Sequence, residues 1–487
     1  MKKKLLCIIM IAVIIVSALS LFACNRAPKY NAEFIVPEGG YDGSAVTVKF
    51  YHTMGQNLTT VLDNYIPLFN QMYPNITIEH SQVGGYDDVR DQISTEISVG
   101  NQPNIAYCYP DHVALYNVAQ AVVQLDNLIA STETVTHDDG TTEVLGLTQE
   151  QKDAFIQGYY NEGQQFGDGH MYSMPFSKST EVLYYNKTFF EENRATLTEK
   201  GVKIPGDSET PLTWDEMEAL CKAIKEIDPN CIPLGYDSEA NWFITMCEQL
   251  GSPYTSADED NHFLFNNDTN KDFVKKFREW HKSGLVTTQK IYGGYTSGLF
   301  TSKDSVRSYM SIGSSAGATK QRPVKENNAY PFEVGITTIP QVDATNPKVI
   351  SQGPSICIFG KENPQEVIAS WLFVKFLTTT VAFQAEFSMA SGYVPVLKTV
   401  TDNAIYAEFL NKADGGDQIA ALSAKICMDQ EHAYYTSPAF NGSSKAREQV
   451  EYLMTQCLSE DIPGDSSLDA FIDSKFKAAI DECEYSI

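Results

Sequence analysis

Residues 170–187 read HMYSMPFSKSTEVLYYNK, and the path of the chain through them decides the fold. The turn Asp168-Gly169 opens a half-apolar strand through Met171, Tyr172 and Met174. Pro175 has no N–H to give to a ladder, so one continuous central strand is disfavoured. A polar run follows, Ser177-Lys178-Ser179-Thr180-Glu181, and then an apolar and aromatic run, Val182-Leu183-Tyr184-Tyr185, which reads as a second strand. Two strands joined by a polar crossing suit a chain that leaves one sheet for another. Hydroxyls, an ammonium and a carboxylate would then line a seam between lobes, where small-molecule sites often lie. The residues fit a strand, turn and strand within one sheet equally well, and this stretch alone does not separate the two.

Upstream the pattern is regular. Residues 45–52, AVTVKFYH, alternate as a strand. Residues 58–73 have helical periodicity, with Leu62, Ile66 and Phe69 on one face, and Ile76-Thr77-Ile78-Glu79 is a second strand. A helix over 87–99 ends at Gly100, Asn104-Ile105-Ala106-Tyr107-Cys108 is a third strand, and another helix starts at Val113. This alternation predicts a mainly parallel sheet. Ligands of such sheets sit beyond the carboxyl ends of the strands. Tyr51, His52 and Gln56 follow the first strand; Tyr109, Asp111 and His112 follow the third. Taken singly, each reads as a solvated loop residue or a packed tyrosine. As a set at successive strand ends they form a candidate site.

Downstream, Thr213 and Glu216 make a capping box for a helix through Ile227. Residues 261–267 read as a short strand, 271–282 as an amphipathic helix, 306–312 as a strand, and 404–427 and 443–457 as helices. Gly313-Ser314-Ser315-Ala316-Gly317 follows the 306–312 strand. It formally fits the G-x-S-x-G of a serine hydrolase, with Ser315 as nucleophile. Such an enzyme needs an acid and a histidine later in the chain, and His432 is the only histidine after it. The alternative is a binding loop whose N–H groups and hydroxyls face a ligand at a helix start, and the residues favour it.

The 487 residues carry a formal charge of −26, with 43% apolar and 11% aromatic residues. That is enough apolar content for two or three packed domains. The charge disfavours nucleic acid and anionic membranes as partners, since both are polyanions. Ten cysteines include no close pair, and several of them fall at apolar helix or strand positions, where free cysteine behaves as a small hydrophobe. His137 beside Asp138 and Asp139 has no spaced histidine or cysteine to join it, and reads as a solvated turn rather than a metal site.

Lys2, Lys3 and Lys4, an apolar core over 5–16 and a small residue before Cys24 describe a secretory signal over 1–23. Leu21-Phe22-Ala23-Cys24 resembles the lipobox of bacterial lipoproteins, which implies a lipid on Cys24. Residues 24–43, rich in Pro and Gly, would be a flexible tether from membrane to domain.

Read together, these motifs resemble the extracellular solute-binding proteins of ABC importers, family 1, which includes the maltose- and multiple-sugar-binding proteins. Val46-Thr47-Val48-Lys49-Phe50-Tyr51-His52 resembles that family's first strand. Phe69-x-x-x-Tyr73-Pro74-x-Ile76-x-Ile78 is similar to its helix-to-strand motif, and Gly100-Asn101-Gln102-Pro103-Asn104-Ile105 to its G-x-x-P-D-I, with Asn104 in place of aspartate. The most specific likeness is Tyr172-x-Met174-Pro175-Phe176 followed by Val182-Leu183-Tyr184-Tyr185-Asn186-Lys187. Leu212-Thr213-Trp214-Asp215-Glu216 and Ser391-Gly392-Tyr393-Val394-Pro395-Val396 add to it.

The resemblance implies an α/β, two-lobed periplasmic-binding-protein-like fold of type II. Each lobe would hold a mainly parallel sheet flanked by helices, joined to the other by hinge crossings near 177–181, 352–355 and 393–397. Lobe one would combine 44–178 with 354–394, and lobe two 179–353 with 395–487. A carbohydrate, mono- or oligosaccharide, would bind in the cleft, held by aromatic faces and hydrogen-bonding side chains, with no cofactor, no metal and no chemical step. The closed monomer would then deliver it to a membrane permease. The implied contacts are Tyr51, His52, Gln56, Tyr109, Asp111 and His112 from lobe one, and Ser179 and Glu181 at the crossing. Trp242 and Phe243 would stack from lobe two, Gly313, Ser314 and Ser315 would donate, and Tyr393, Phe440 and Asn441 would complete the wall. A rival solute is a phosphorylated polyol such as glycerol 3-phosphate, for which Lys178, Arg307 and Arg447 are the candidate cations.

Overall fold

The computed structural model describes residues 30–485 apart from 209, 258–260, 413–417 and 465. The signal, Cys24 and part of the tether lie outside the described residues. In chain order the strands are β1 Val46–His52, β2 Ile76–Gln82, β3 Ile105–Cys108, β4 Thr134–Thr136, β5 Thr142–Val144, β6 Ser173–Pro175 and β7 Ser179–Asn186. They continue as β8 Leu234–Tyr236, β9 Val286–Thr288, β10 Met310–Ser314, β11 Val334–Thr337, β12 Val349–Gln352, β13 Ser355–Ile358 and β14 Tyr434–Tyr435.

These strands build two main sheets, one per lobe. The first has the order β2-β1-β3-β13-β6, and the second β14-β12-β7-β10-β8-β9 with β11 also on β7; β4 and β5 form a separate hairpin. Both main sheets are mixed rather than mainly parallel. Pairing is parallel where a helix connects the strands, as in β1 with β2 and β3, and β8 with β9 and β10. It is antiparallel where a strand reaches its sheet through a crossing, as β13 does beside β3 and β6, and β7 beside β10, β11 and β12.

The helices Gln56–Met72 and Pro364–Thr379 cover one face of the first sheet, where Phe50, Leu62, Phe69, Ile356 and Phe373 are buried together. The helix Tyr86–Ile97 covers the other face, with Val89 and Ile93 against Ala106 and Cys108. β7 is buried along its length and splits by the period of two. Leu183 and Tyr185 enter the second lobe's core with Trp214, Trp242 and Trp280, while Val182 and Tyr184 face Ala318 and Ala424.

The chain therefore leaves the first sheet at Pro175 and enters the second at Ser179. Two more segments run beside it. β12 ends at Gln352 and β13 begins at Ser355, and Val394 pairs with Lys178 in an antiparallel bridge. Gly353 has φ +91°, and a Cβ there would stand 2.5 Å from the Ser177 carbonyl oxygen and 2.8 Å from the Lys178 Cα, so no larger residue fits between the crossings. Lys178 is fully buried at their centre. Its Nζ donates to Glu162 Oε1 at 2.6 Å, to Ser355 Oγ at 3.0 Å and to the Gly353 carbonyl at 3.1 Å.

Three elements differ from the sequence reading. The strand expected over 306–312 forms at Met310–Ser314, after an exposed Val306. The helix expected over 404–427 is two, Ala404–Asn411 and Gln418–Asp429. Residues 261–267 contribute only a single bridge, Thr255 with Phe263.

Candidate functional site

Where the two lobes face each other there is a cleft of about 390 Å³. Its first-lobe wall comes from two helix starts at the carboxyl ends of strands. Tyr86, Asp87 and Arg90 belong to the helix Tyr86–Ile97 after β2, and Tyr109, Pro110, Asp111 and His112 follow β3. Pro110 sits at the first turn, where its missing N–H costs nothing. Its second-lobe wall includes Ile244, Tyr254, Thr255, Lys290, the β12 residues Ile350, Ser351 and Gln352, and Ser437, Ser444, Arg447 and Tyr452. The last three lie on the helix Ser443–Ser459, entered through Gly442 at φ +107°. Glu162 forms the floor beside the hinge.

The aromatic part is a pair. The Tyr86 and Tyr109 rings lie 4.7 Å apart between centroids, tilted by 42°, and His112 meets Tyr109 edge-on at 5.4 Å. The Tyr86 and Tyr393 hydroxyls are 3.3 Å apart. Burial raises the hydroxyl pKa of both Tyr86 and Tyr109, so both stay neutral. Burial also lowers the pKa of His112, which favours the neutral ring.

The charged groups differ in how they are matched. Arg90 donates to Asp87 at 2.9 Å and Asp91 at 2.8 Å, and across the cleft mouth to Ser444 Oγ at 3.1 Å. Lys290 pairs with Glu451 at 2.8 Å. Arg447 has no carboxylate partner among the described residues; it donates to Asn241 Oδ1, an amide. Three buried polar atoms on the walls, His112 Nδ1, Tyr254 OH and Thr255 Oγ1, have no hydrogen-bond partner among the described residues.

Of the residues named from sequence, Tyr109, Asp111 and His112 line this cleft, and Tyr393 borders it through Tyr86. Glu181 stands one layer behind, bonded to Tyr236 and Asn241. The others stand elsewhere. Tyr51 packs beside the helix Tyr86–Ile97, its hydroxyl 3.4 Å from Glu96. His52 is fully buried, 2.9 Å from His80, and burial pushes its pKa down to about 4. Gln56 is exposed at the start of the helix Gln56–Met72. Trp242 and Phe243 are core residues, Trp242 stacked on Tyr236 at 4.9 Å and Phe243 against Phe273 at 5.1 Å. Gly313 lies against Asp237, where a Cβ would come within 2.8 Å of a carboxylate oxygen. Ser314 Oγ caps Ala316, and Ser315 Oγ, fully buried, accepts from the Thr180 N–H at 3.2 Å. Ser179 is buried in the β7–β12 pairing. Phe440 stacks on His262 at 4.5 Å, and Asn441 is exposed beyond it. Lys178 is committed to the hinge, and Arg307 does not line the cleft.

Tyr86, Arg90, Gln352 and Ser444 also line the cleft without having been singled out. The rule that placed the β1 and β3 strand ends also covers the end of β2, which leads through Val83-Gly84-Gly85 to Tyr86.

Two α/β lobes, three crossings and a polar, aromatic cleft between them are the architecture of a receptor for a small solute. Residues 64–412 match the model of the bacterial extracellular solute-binding protein family, and the chain belongs to that family. A curated relative, the sn-glycerol-3-phosphate-binding periplasmic protein UgpB of Escherichia coli (strain K12), is 23% identical over 393 residues, covering 77% of this chain and 80% of the relative. Among solved structures, UgpB from Mycobacterium tuberculosis in complex with glycerophosphocholine superposes with a TM-score of 0.67 at 15% identity, over 90% of this chain and 98% of that one. Maltose-bound T. maritima MalE3 gives 0.65 at 15% identity, over 91% and 100%. Lmo0181 from Listeria monocytogenes in complex with cycloalternan gives 0.66 at 16%, over 91% and 99%.

Proposed function

We propose that this chain captures a carbohydrate, mono- or oligosaccharide, between lobes 44–178 with 354–394 and 179–353 with 395–487, and delivers it as a closed monomer to a membrane permease. In this reading it is held at the membrane by a lipid on Cys24, and performs no chemical step. The observation that carries the reading is the pairing of an aromatic surface with open hydrogen-bonding atoms. Tyr86 and Tyr109 offer ring faces to the C–H faces of a sugar. His112 Nδ1, Tyr254 OH and Thr255 Oγ1, buried and without partners among the described residues, match a hydroxyl-rich solute, because buried polar atoms are otherwise satisfied. A thermal-shift screen over mono-, di- and oligosaccharides, polyols and glycerol phosphates tests it. Stabilisation by at least one sugar is expected; no shift with any sugar, together with a shift from a phosphate ester, would overturn it.

The second reading is a phosphorylated polyol. It is favoured by Arg447, which has no carboxylate partner among the described residues and projects from the first two turns of the helix Ser443–Ser459, where the helix dipole favours an anion. Arg447→Gln separates the two. It would abolish phosphate-ester binding and leave sugar binding measurable, reduced about 10- to 100-fold, the worth of one hydrogen bond to a charged group. For the anchor, loss of metabolic labelling by palmitate in Cys24→Ala is the expected result.

A further inference from the structure

Glu181 is 1% exposed and lies outside the cleft wall, yet it is linked to that wall through one side chain. Asn241, itself 3% exposed, donates from Nδ2 to Glu181 Oε1 at 2.9 Å and accepts at Oδ1 from Arg447. Gln352 exchanges two bonds of 3.0 Å with the same amide. Arg447 and Gln352 line the cleft. A guanidinium can only donate and a carboxylate can only accept. One orientation of the Asn241 carboxamide satisfies both at once, and that orientation is the one present.

We propose that Glu181 is a positioning residue. Through Asn241 it fixes the Arg447 guanidinium and the Gln352 amide where the solute meets them, so that affinity follows the charge on a carboxylate the solute never touches. The inference rests on the cleft being the solute site and deepens that reading.

The groups facing Glu181 are Tyr236 and Asp237 at β8, Tyr435 of β14, Asn241 of the helix Glu239–Leu250, Gln352 of β12 and Arg447 of the helix Ser443–Ser459. Burial, with Asp237 nearby, outweighs the bonds from Tyr236 and Asn241 and the charge of Arg447, and pushes the carboxyl up to about 7. Above that pH the carboxylate accepts from the Tyr236 hydroxyl at 2.6 Å and from Asn241. Below it, Oε2 carries a proton and donates to the Tyr236 oxygen, which can accept as well as donate. The bond from Asn241 then loses its charge assistance, and the amide holds Arg447 less firmly. Affinity therefore falls as the pH falls through about 7, on the order of three- to tenfold, since charge-assisted bonds are about twice as strong as neutral ones.

The test is isothermal titration with maltose and with sn-glycerol 3-phosphate from pH 5.5 to 8.5, on wild type, Glu181→Gln and Asn241→Ala. In parallel, the arginine side-chain ¹⁵N resonances are followed without solute, Arg447 being assigned by its loss in Arg447→Lys. Wild type should lose affinity toward acid and show an Arg447 resonance that shifts with a midpoint near 7. Glu181→Gln should be flat in both. Asn241→Ala should bind weakly and show no pH-linked Arg447 shift, although Glu181 still titrates. If neither probe binds at any pH, the solute reading is at fault and the Arg447 resonance decides this one. A wild-type Arg447 resonance that does not move with pH, or one that moves identically in Glu181→Gln, overturns the proposal.

Discussion

Replacing Lys178 by Met removes the cation that ties the first crossing to the second and to Glu162, and leaves the backbone bridge to Val394 in place. The Nζ makes three hydrogen bonds, to Glu162, to Ser355 and to the Gly353 carbonyl, and its side chain has no exposed surface. Glu162 is 2% exposed, and in the variant its carboxylate keeps, among the described residues, only Ser351 Oγ at 3.4 Å. A buried charge left without its partner costs about 3–5 kcal/mol. Met fills nearly the same space, so little of that cost comes from a cavity. Removing the second charge as well should recover most of the loss, because two well-packed neutral groups often match a buried ion pair in stability. The expected pattern in urea is thus a fall of about 4 kcal/mol for Lys178→Met, and a coupling on the order of 3 kcal/mol with Glu162→Gln in a double-mutant cycle. Tryptophan fluorescence reads both lobes, since Trp371 lies in the first core and Trp214, Trp242 and Trp280 in the second. A cost under about 1 kcal/mol for Lys178→Met, or strictly additive single costs, would refute the assignment of Lys178 to the hinge.

Three other outcomes follow from the cleft and its surroundings. Tyr109→Ala removes half of the aromatic pair and should weaken solute binding about 10- to 100-fold in calorimetry, from the roughly 1.5–3 kcal/mol that a large side chain contributes by burial. Ser315→Ala leaves the buried Thr180 N–H without its acceptor and should cost about 1–3 kcal/mol in urea unfolding, with ester hydrolysis absent before and after the change. His52→Asn should flatten the acid limb of stability. The buried His52 is held neutral, with a pKa near 4 against an ordinary 6.5, so the unfolded chain binds the extra proton. Stability from this group is complete above about 6.5 and is lost as the pH falls toward 4, by about 3 kcal/mol in all. Glu181 acts with the opposite sign, its raised pKa removing stability as the pH rises from 4.5 through 7, so melting curves of wild type and His52→Asn are compared at each pH between 4 and 7.

The crossing was one of two equal readings of the local residues, and the family resemblance, not the stretch itself, favoured it. Pro175 cannot sit inside a ladder, and the polar run between two apolar runs marks a change of surroundings. The first-lobe wall at Tyr109–His112 was legible from the rule on strand ends, yet the same rule named Tyr51 and His52, which face opposite sides of the sheet, Tyr51 beside the helix Tyr86–Ile97 and His52 against Phe50 and His80. Strand-end position fixes which end of the sheet a residue occupies; the side it faces depends on register and on which helix covers it. For Trp242 and Phe243, aromatic content suggested stacking on a solute, but the helix Glu239–Leu250 is buried nearly all round and only Ile244 of its apolar residues meets the cleft. Arg447 entered only as one cation among three, since nothing local tells a free guanidinium from a paired one. That distinction lies in contacts between residues as far apart as 241 and 447.

The hinge and the mouth of the cleft differ in strength, and the difference explains how a solute can control closure. At the hinge, Lys178 and the close approach at Gly353 hold the crossings backbone to backbone. At the mouth, the lobes meet through Arg90 with Ser444 at 3.1 Å and through the Ala439 N–H with the Gln165 carbonyl at 3.0 Å. Each such bond is worth about 0.5–1.5 kcal/mol, and the first is partly open to water. Together they give about 1–3 kcal/mol, less than the ~5.5 kcal/mol needed to move an equilibrium from 1:99 to 99:1. A solute bound at micromolar affinity contributes about 8 kcal/mol, shared between both walls. Under the proposed function the solute, bonded to both walls, drives closure, and a permease that recognises the closed form would recognise the loaded receptor.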